Sequence, residues 1–245
     1  MMPLYLLTLI LTTTATAVIL RFLIPYLKSR KLGQKILDIG PRWHKSKEGT
    51  PTMGGLSFLI AFTVIATAML IVLRATGWEG PWLPALFTGL FALMNGVIGI
   101  IDDRTKFSKG KNEGLLSWQK YLLQLLAAVL YLVAMSLYGG LTTDLYIPFV
   151  KTTISLGWIY YPFAVLLLTG VVNSVNLTDG IDGLAASETA IVVAFFSAVA
   201  FTGIENEPLG IFAAATLGGC IGFLVYNFYP ARVFMGDTEI GRAHV

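Results

Sequence analysis

The sequence predicts an all-α polytopic membrane protein, and two observations support that fold class. Hydrophobic residues make up 56% of the 245-residue chain and charged residues only 13%, whereas ordinary soluble domains carry roughly 25% charged residues. Apolar runs of about 20 residues recur along the chain, and a run of that length can cross a bilayer as a helix. Most of these runs lack the polar face that helices of soluble proteins show at helical period.

Seven spanning helices are predicted, in a single domain over residues 1–238. The first has no basic residue before its apolar stretch, which is also too long for a signal-peptide core, so we expect it to be retained. The connection 139–156 alternates enough in polarity to allow a small hairpin. The predicted spans are residues 4–27, 54–73, 83–101, 118–138, 157–175, 184–203 and 208–229.

Basic residues are distributed unevenly between the two ends of the predicted helices. The connections after the first, third, fifth and seventh helices share one side and hold most of them, against only Arg74 and Lys151 on the other side. The positive-inside rule therefore places the rich side in the cytoplasm. The basic residues of that side are Lys28, Arg30, Lys31, Lys35, Arg42, Lys45, Lys47, Arg104, Lys106, Lys109, Lys111, Lys120 and Arg232.

Carboxylates follow two of the apolar runs on this same side. Asp102 and Asp103 close the run FALMNGVIGII, and Asp237 ends YPARVFMGD. Acids at membrane segments are costly and usually functional, although a helix stop or a solvated loop acid is the alternative at each place. Neighbours on a helix point about 100° apart, so we expect Asp102 and Asp103 to have different partners.

The polar stretch NSVNLTDGIDGL at 173–184 lies between two apolar runs. Asn173 and Asn176 are three residues apart, as are Asp179 and Asp182, so each pair shares a face if the backbone there is helical. Free N–H groups at the start of the next helix would point at this loop, as anion sites require. The alternative is an Asx-rich turn that caps two helices. More polar residues are present than caps need, which favours a metal and phosphate site.

Two further segments carry candidate substrate contacts. The loop HKSKEGTPTMGG at 44–55 combines bases, hydroxyls and glycines, as a flexible phosphate-facing loop would, although it is no Walker A sequence. Phe234 can offer a ring face to a base, and anchoring at the membrane interface is an equally common role. Carboxylates with substrate phosphates suit Mg²⁺, whereas one cysteine and two histidines argue against zinc.

Four motifs stand in an order typical of a known family. They are GTPTMGG at 49–55, the DD pair at 102–103, NLTDGIDGL at 176–184 and FMGDT at 234–238. Together they resemble the phospho-MurNAc-pentapeptide translocases of the polyprenyl-phosphate N-acetylhexosamine-1-phosphate transferase superfamily. The resemblance implies a fold of about ten helices, of which this chain would hold seven. It also implies the Mg²⁺-dependent transfer of phospho-MurNAc-pentapeptide from UDP to undecaprenyl phosphate, giving UMP and lipid I for peptidoglycan synthesis.

The resemblance assigns roles to individual residues. The metal-binding acid falls on Asp237, and the paired acids near the phosphates fall on Asp102 and Asp103. One acid of the pair would accept the proton of undecaprenyl phosphate or attack as nucleophile, and the sequence leaves both routes open. The base of the nucleotide would contact Asp182 and Phe234. The full set of substrate-binding candidates is Lys47, Asn173, Asn176, Asp179, Asp182 and Phe234.

The expected partners are UDP-MurNAc-pentapeptide, undecaprenyl phosphate and the lipid bilayer, without nucleic acid and with a homodimer left open. The expected location is the bacterial inner membrane, with the site at the cytoplasmic face. Two alternatives stay open. One is a transferase that moves GlcNAc-1-phosphate from UDP-GlcNAc to the same lipid. The other is a secondary transporter, in which polar breaks in helices lie near the bilayer midplane.

The last residues depart from the family pattern. After FMGDT the family continues with a Gly-Ser stretch, further helices and a histidine-rich cytoplasmic loop, whereas this chain reads EIGRAHV at 239–245. The same letters result from translating a common sequencing-adapter start. We therefore expect 239–245 not to be natural coding sequence, and the 245-residue product to lack transferase activity for want of that loop.

Overall fold

The computed structural model describes residues 2–30, 49–108, 114–201 and 206–236, and most of them are helical. The predicted all-α membrane fold is confirmed. A short 3₁₀ turn, Gly157–Ile159, leads into the fifth helix. The helices are α1 Met2–Ser29, α2 Gly55–Ala75, α3 Leu83–Ser108, α4 Ser117–Tyr138, α5 Tyr160–Thr178, α6 Leu184–Phe201 and α7 Glu207–Asn227.

Six of these helices are long and apolar enough to cross a membrane, against the seven spans predicted. The exception within the described residues is α6, whose apolar stretch covers only Leu184–Ala200. Its 18 residues extend about 27 Å at the α-helical rise, slightly less than a hydrocarbon core of about 30 Å. The chain is thus a multi-pass membrane protein, with six such helices within the described residues.

Two helices end later than the hydropathy pattern predicts. Helix α3 continues through Asp102 and Asp103 to Ser108, since neither Gly nor Pro interrupts that stretch. Helix α5 continues to Thr178, shortly before Gly180. The acidic pair is therefore part of a helix and does not end it. Of the two polar pairs in 173–184, only Asn173 and Asn176 lie on a helix.

The described residues form two compact units, of which the first comprises Met1–Glu79, Gly99–Leu115 and Val175–Val245. Its centre is the contact of α1 with α7. A Cβ atom at Gly218 or Gly222 would overlap the carbonyl oxygen of Leu9 or Thr13 on α1, so the helix backbones approach closely, as small residues permit in membranes.

The end of α1 anchors the segment that follows α7. Val233 is fully buried in a cluster with residues of α1, α6 and α7. This packing holds the chain just before the FMGD motif against the helices. The buried members of the cluster are Leu20, Ile24, Leu27, Ala186, Phe223 and Val233.

The second unit comprises Gly80–Ile98 and Leu116–Ser174. The rings of Phe91 on α3 and Tyr131 on α4 stack within it, with their centroids 4.9 Å apart. The hairpin predicted in 139–156 is confirmed: β1 Asp144–Ile147 pairs antiparallel with β2 Thr152–Ser155.

Candidate active site

Backbone hydrogen bonds hold together two segments that lie far apart in the sequence. The N–H of Phe234 donates to the carbonyl of Pro51 at 2.8 Å. In return, the N–H of Gly54 donates to the Phe234 carbonyl at 2.9 Å and that of Gly55 to the Met235 carbonyl at 2.7 Å. The GTPTMGG and FMGD motifs therefore meet directly, and the part of the 44–55 loop that the structure describes is fixed by this pairing.

The pairing depends on the absence of a side chain at Gly54. A Cβ atom there would lie 2.6 Å from Cγ2 of Val233 and 2.9 Å from the Phe234 carbonyl oxygen, closer than atoms of a relaxed structure approach. The preceding residue, Met53, has a φ of 70°, a left-handed conformation that is uncommon outside glycine. Such conformations persist only where the surroundings impose them, and they cluster at functional sites.

Helix α3 brings the acidic pair to this junction. Asp102 is 3% exposed and Asp103 6% exposed. The Oδ1 atom of Asp102 accepts a hydrogen bond from the N–H of Leu115 at 2.7 Å. The Asp103 carboxylate lies against Gly236 of the FMGD motif, where a Cβ atom would overlap its Oδ2. Asp102 thus contacts Leu115, and Asp103 contacts Gly236.

Side-chain hydrogen bonds join the turn between α5 and α6 to the segment after α7. The Oδ2 atom of Asp182 accepts from the N–H of Ala231 at 3.1 Å. The Asn227 amide accepts from the N–H of Gly183 at 3.0 Å and donates to the Val233 carbonyl at 2.9 Å. Asp182 thus lies beside the segment that carries Phe234.

Asn227 is a positioning residue that the sequence analysis missed. It is only 2% exposed, and its side chain pairs with the backbone N–H of Gly183 and the backbone carbonyl of Val233, groups that are costly to leave unpaired when buried. The available signal was an amide at the end of an apolar run, immediately before FYPARVFMGD. A single amide at a helix end is a common cap, so that signal by itself does not indicate a role.

The remaining candidates of the polar stretch are distributed over both units. Asp179 is 8% exposed, and its N–H donates to the Asn176 carbonyl at 3.3 Å. Asn173 belongs to the second unit, where its amide donates to Oε1 of Gln124 at 2.7 Å and to the Thr169 carbonyl at 2.8 Å. The Asn173 amide therefore connects α4 with α5.

The Phe234 ring is covered by other side chains. The Phe234 side chain is 3% exposed, so a base that stacks on its ring must displace the side chains that cover it. Lys47 and Asp237 lie outside the residues that the structure describes.

The donor atoms at the junction fit Mg²⁺. No group of three His, Cys, Asp or Glu side chains that could hold a metal occurs within residues 2–30, 49–108, 114–201 and 206–236. Mg²⁺ often uses only one or two carboxylates and completes its shell with water and substrate phosphates. The Asp103 carboxylate lies against Gly236, so a carboxylate oxygen of the kind that Mg²⁺ uses is present at this motif.

Two family matches cover the segments that form this site. The family model of glycosyl transferase family 4 matches residues 85–239, and signature 1 of phospho-N-acetylmuramoyl-pentapeptide-transferase matches residues 47–59. The signature therefore contains the segment that pairs with residues 234 and 235, while the family match contains the acidic pair and the turn 179–183.

Three curated relatives illustrate the similarity, and each is described as a phospho-N-acetylmuramoyl-pentapeptide-transferase. The relative from Acetivibrio thermocellus is 47% identical over 88% of this chain and 63% of its own length. Those from Heliobacterium modesticaldum and Halalkalibacterium halodurans are 45% and 41% identical over 89% and 95% of this chain, and over 64% and 70% of their own lengths. The chain thus spans about two thirds of the length of these relatives.

Proposed function

Because the chain belongs to the phospho-N-acetylmuramoyl-pentapeptide-transferases of glycosyl transferase family 4, we propose that the whole protein transfers phospho-MurNAc-pentapeptide from UDP-MurNAc-pentapeptide to undecaprenyl phosphate. The products are lipid I and UMP. The observation that carries this proposal is that the buried Asp103 carboxylate of α3 lies against Gly236, next to the residues that pair with segment 51–55. The neighbouring buried carboxylate, Asp102, accepts a hydrogen bond from the Leu115 N–H.

The acidic pair acts on the phosphate of the lipid acceptor in this proposal. In the direct route, one carboxylate accepts the proton of undecaprenyl phosphate, whose oxygen attacks the sugar-bearing phosphorus of the donor and expels UMP. In the covalent route, the carboxylate attacks that phosphorus and expels UMP, and undecaprenyl phosphate then attacks the resulting acyl phosphate, forming lipid I and freeing the carboxylate. Burial excludes water from the carboxylates and strengthens their interaction with nearby charges. Asp102 is held by the Leu115 N–H and Asp103 lies beside Gly236, so the two carboxylates contribute unequally to the reaction.

Asp237 is the metal ligand of the proposal. Bound Mg²⁺ would neutralise the pyrophosphate and stabilise the charge on the departing UMP. The chain contributes by presenting Asp237 directly after Gly236, which rests on the Asp103 carboxylate. Lys47 would add a positive charge near the phosphates.

The uridine of the donor binds at the turn 179–183 and the segment 231–236 in this proposal. Asp182 lies beside that segment through its bond to the Ala231 N–H, and Phe234 stacks on the base. Asn176 and Asp179 are further candidate contacts on the same stretch of chain. Asn173, in the second unit, remains a separate candidate for the substrate.

The location and assembly are also proposals. The excess of basic residues on one side supports an inner-membrane protein whose site faces the cytoplasm. A homodimer is compatible with this arrangement, and the mass of the detergent-solubilised protein, measured by light scattering, would test it.

A donor assay tests the proposed reaction against its alternatives. For this assay, residues 1–238 are fused to the C-terminal remainder of the Acetivibrio thermocellus relative, and this protein is called the fusion chain. The 245-residue chain is assayed in parallel. With undecaprenyl phosphate in proteoliposomes, label from UDP-MurNAc-pentapeptide should enter the lipid fraction, and label from UDP-GlcNAc should not. The reverse pattern would identify a GlcNAc-1-phosphate transferase. Label that accumulates inside the vesicles without a lipid product would identify a transporter.

Replacing Phe234 by Ala should weaken uridine binding. Base–aromatic stacking contributes about 1–3 kcal/mol in single-strand binders, so the inhibition constant of UMP should rise by about 5- to 150-fold. The control is Val233→Ala, because Val233 is also buried and its loss costs packing but no stacking. If UMP has the same inhibition constant for both variants, Phe234 does not stack on the base and its role is structural only.

A further inference from the structure

The hairpin of the second unit is amphipathic. Paired residues of an antiparallel ladder point to the same face, and successive residues of a strand point to opposite faces. Leu145 pairs with Ile154 and Ile147 with Thr152, so the three aliphatic side chains share one face. The opposite face carries Asp144, Tyr146, Thr153 and Ser155.

The apolar face and the tip of the hairpin are exposed. Leu145 is 40% exposed and Ile154 46% exposed. In the four-residue turn between the strands, Phe149 is 98% exposed and Val150 69% exposed. A two-stranded hairpin by itself is marginally stable in water, and a contiguous exposed apolar surface marks an interaction site. This face therefore requires a partner that accepts apolar side chains.

The hairpin lies between α4 and α5 in the chain. Helix α4 ends at Tyr138, which is 67% exposed, and α5 is preceded by Trp158, which is 77% exposed. Trp and Tyr with exposed rings at helix ends are typical of the membrane–water interface. Leu137, on the last turn of α4, is also 67% exposed, so exposed apolar side chains occur both on the hairpin and at the end of the helix that precedes it.

We propose that the lipid bilayer itself covers this hairpin. The face formed by Leu145, Ile147 and Ile154, together with the tip, inserts at the boundary between headgroups and acyl chains, in the leaflet at the Tyr138 end of α4. Lys151 follows the tip directly and can extend its ammonium group to the lipid phosphates while its stem stays among apolar groups. The polar face with Thr153 then points to water.

Site-directed spin labelling of the 245-residue chain tests the proposal. Cys220 is the only cysteine and is buried, so Cys220→Ala provides a background for single cysteines at Leu145, Phe149 and Thr153. If that background does not fold, the native Cys220 is retained, because its burial keeps it from the label. The protein is placed in vesicles of phosphatidylethanolamine and phosphatidylglycerol, and the collision rates of each label with oxygen and with a water-soluble nickel chelate are measured.

The labels at 145 and 149 should collide preferentially with oxygen, and the label at 153 with the nickel chelate, so that the depth parameter changes sign across the hairpin. Val150→Cys is the second probe of the tip if Phe149→Cys does not express. Preferential collision with nickel at all sites would overturn the proposal. So would spectral broadening at 145 or 149 that disappears on dilution with unlabelled protein, because a second copy would then cover the face. The result does not depend on transferase activity and is independent of the proposed reaction.

Discussion

Asparagine at either position of the acidic pair is expected to reduce lipid I formation by the fusion chain by about 100- to 10,000-fold, the range for loss of a positioned acid or base. Asn has nearly the same shape as Asp, and at position 102 its amide oxygen can still accept the bond from the Leu115 N–H. The loss therefore reports the charge of the carboxylate more than its packing. The two losses should differ, because Asp102 contacts Leu115 and Asp103 contacts Gly236.

The pH dependence of the residual rate separates the two roles. A residue that accepts the proton of the lipid phosphate produces the acidic limb of the rate profile, so the variant that lacks this residue should lose that limb. The other variant should keep the limb and show a lower plateau. Asp144→Asn is the matched control, since this aspartate lies on the exposed hairpin and should leave the rate unchanged. Near-native rates for both pair variants would show that the reaction takes place elsewhere.

Gly236→Ala is expected to reduce transfer by about 100-fold or more, the cost of misplacing reacting groups by about 1 Å. Gly236 has a φ of 118°, where a residue with a Cβ atom is strained by about 1–3 kcal/mol. The added methyl group would also overlap Oδ2 of Asp103 and lie 3.3 Å from Cα of Met53. Either the carboxylate or the FMGD segment must move, and both movements disturb the junction of the motifs.

Transfer rates and thermal unfolding in detergent should be measured together for Gly236→Ala. The control is Gly99→Ala on α3, one turn before Asp102, because a Cβ atom there meets nothing within 4 Å and Ala is a better helix former than Gly. Gly99→Ala should keep full activity and at least the native unfolding temperature. If Gly236→Ala behaves like Gly99→Ala, the contact with Asp103 is not needed for the reaction.

Hydropathy predicted the helices well because the bilayer acts on each span separately. Every backbone polar group of a spanning segment must be satisfied within the segment itself, so an apolar run such as 54–73 is enough to predict α2. The same criterion misjudged the ends of α3 and α5, where helices continue beyond their apolar parts.

The sequence motifs identified the residues of the candidate site, but they did not predict how the segments that carry these residues contact one another. Residues 51–55 join residues 234 and 235 through backbone hydrogen bonds, one of which is accepted by the carbonyl of Pro51. Every residue carries a backbone carbonyl and every residue except proline carries an N–H, so the side chains give no sign of this pairing. The same is true of Asn227, whose partners are two backbone groups of distant loops. The hydrogen bond from the Asn173 amide to Gln124 is a further contact that the sequence did not predict, and the role of Asn173 toward the substrate stays a prediction.

The sequence by itself determined the membrane class, the family motifs and the acids Asp102 and Asp103, because apolar runs and carboxylates at membrane segments have large energetic costs that leave few alternatives. Only the tertiary structure decided that Asp103 lies against Gly236, that Asp102 holds the N–H of Leu115, and that one face of the hairpin is apolar and exposed. These contacts depend on strand register and close backbone approach, which are set by packing between distant segments.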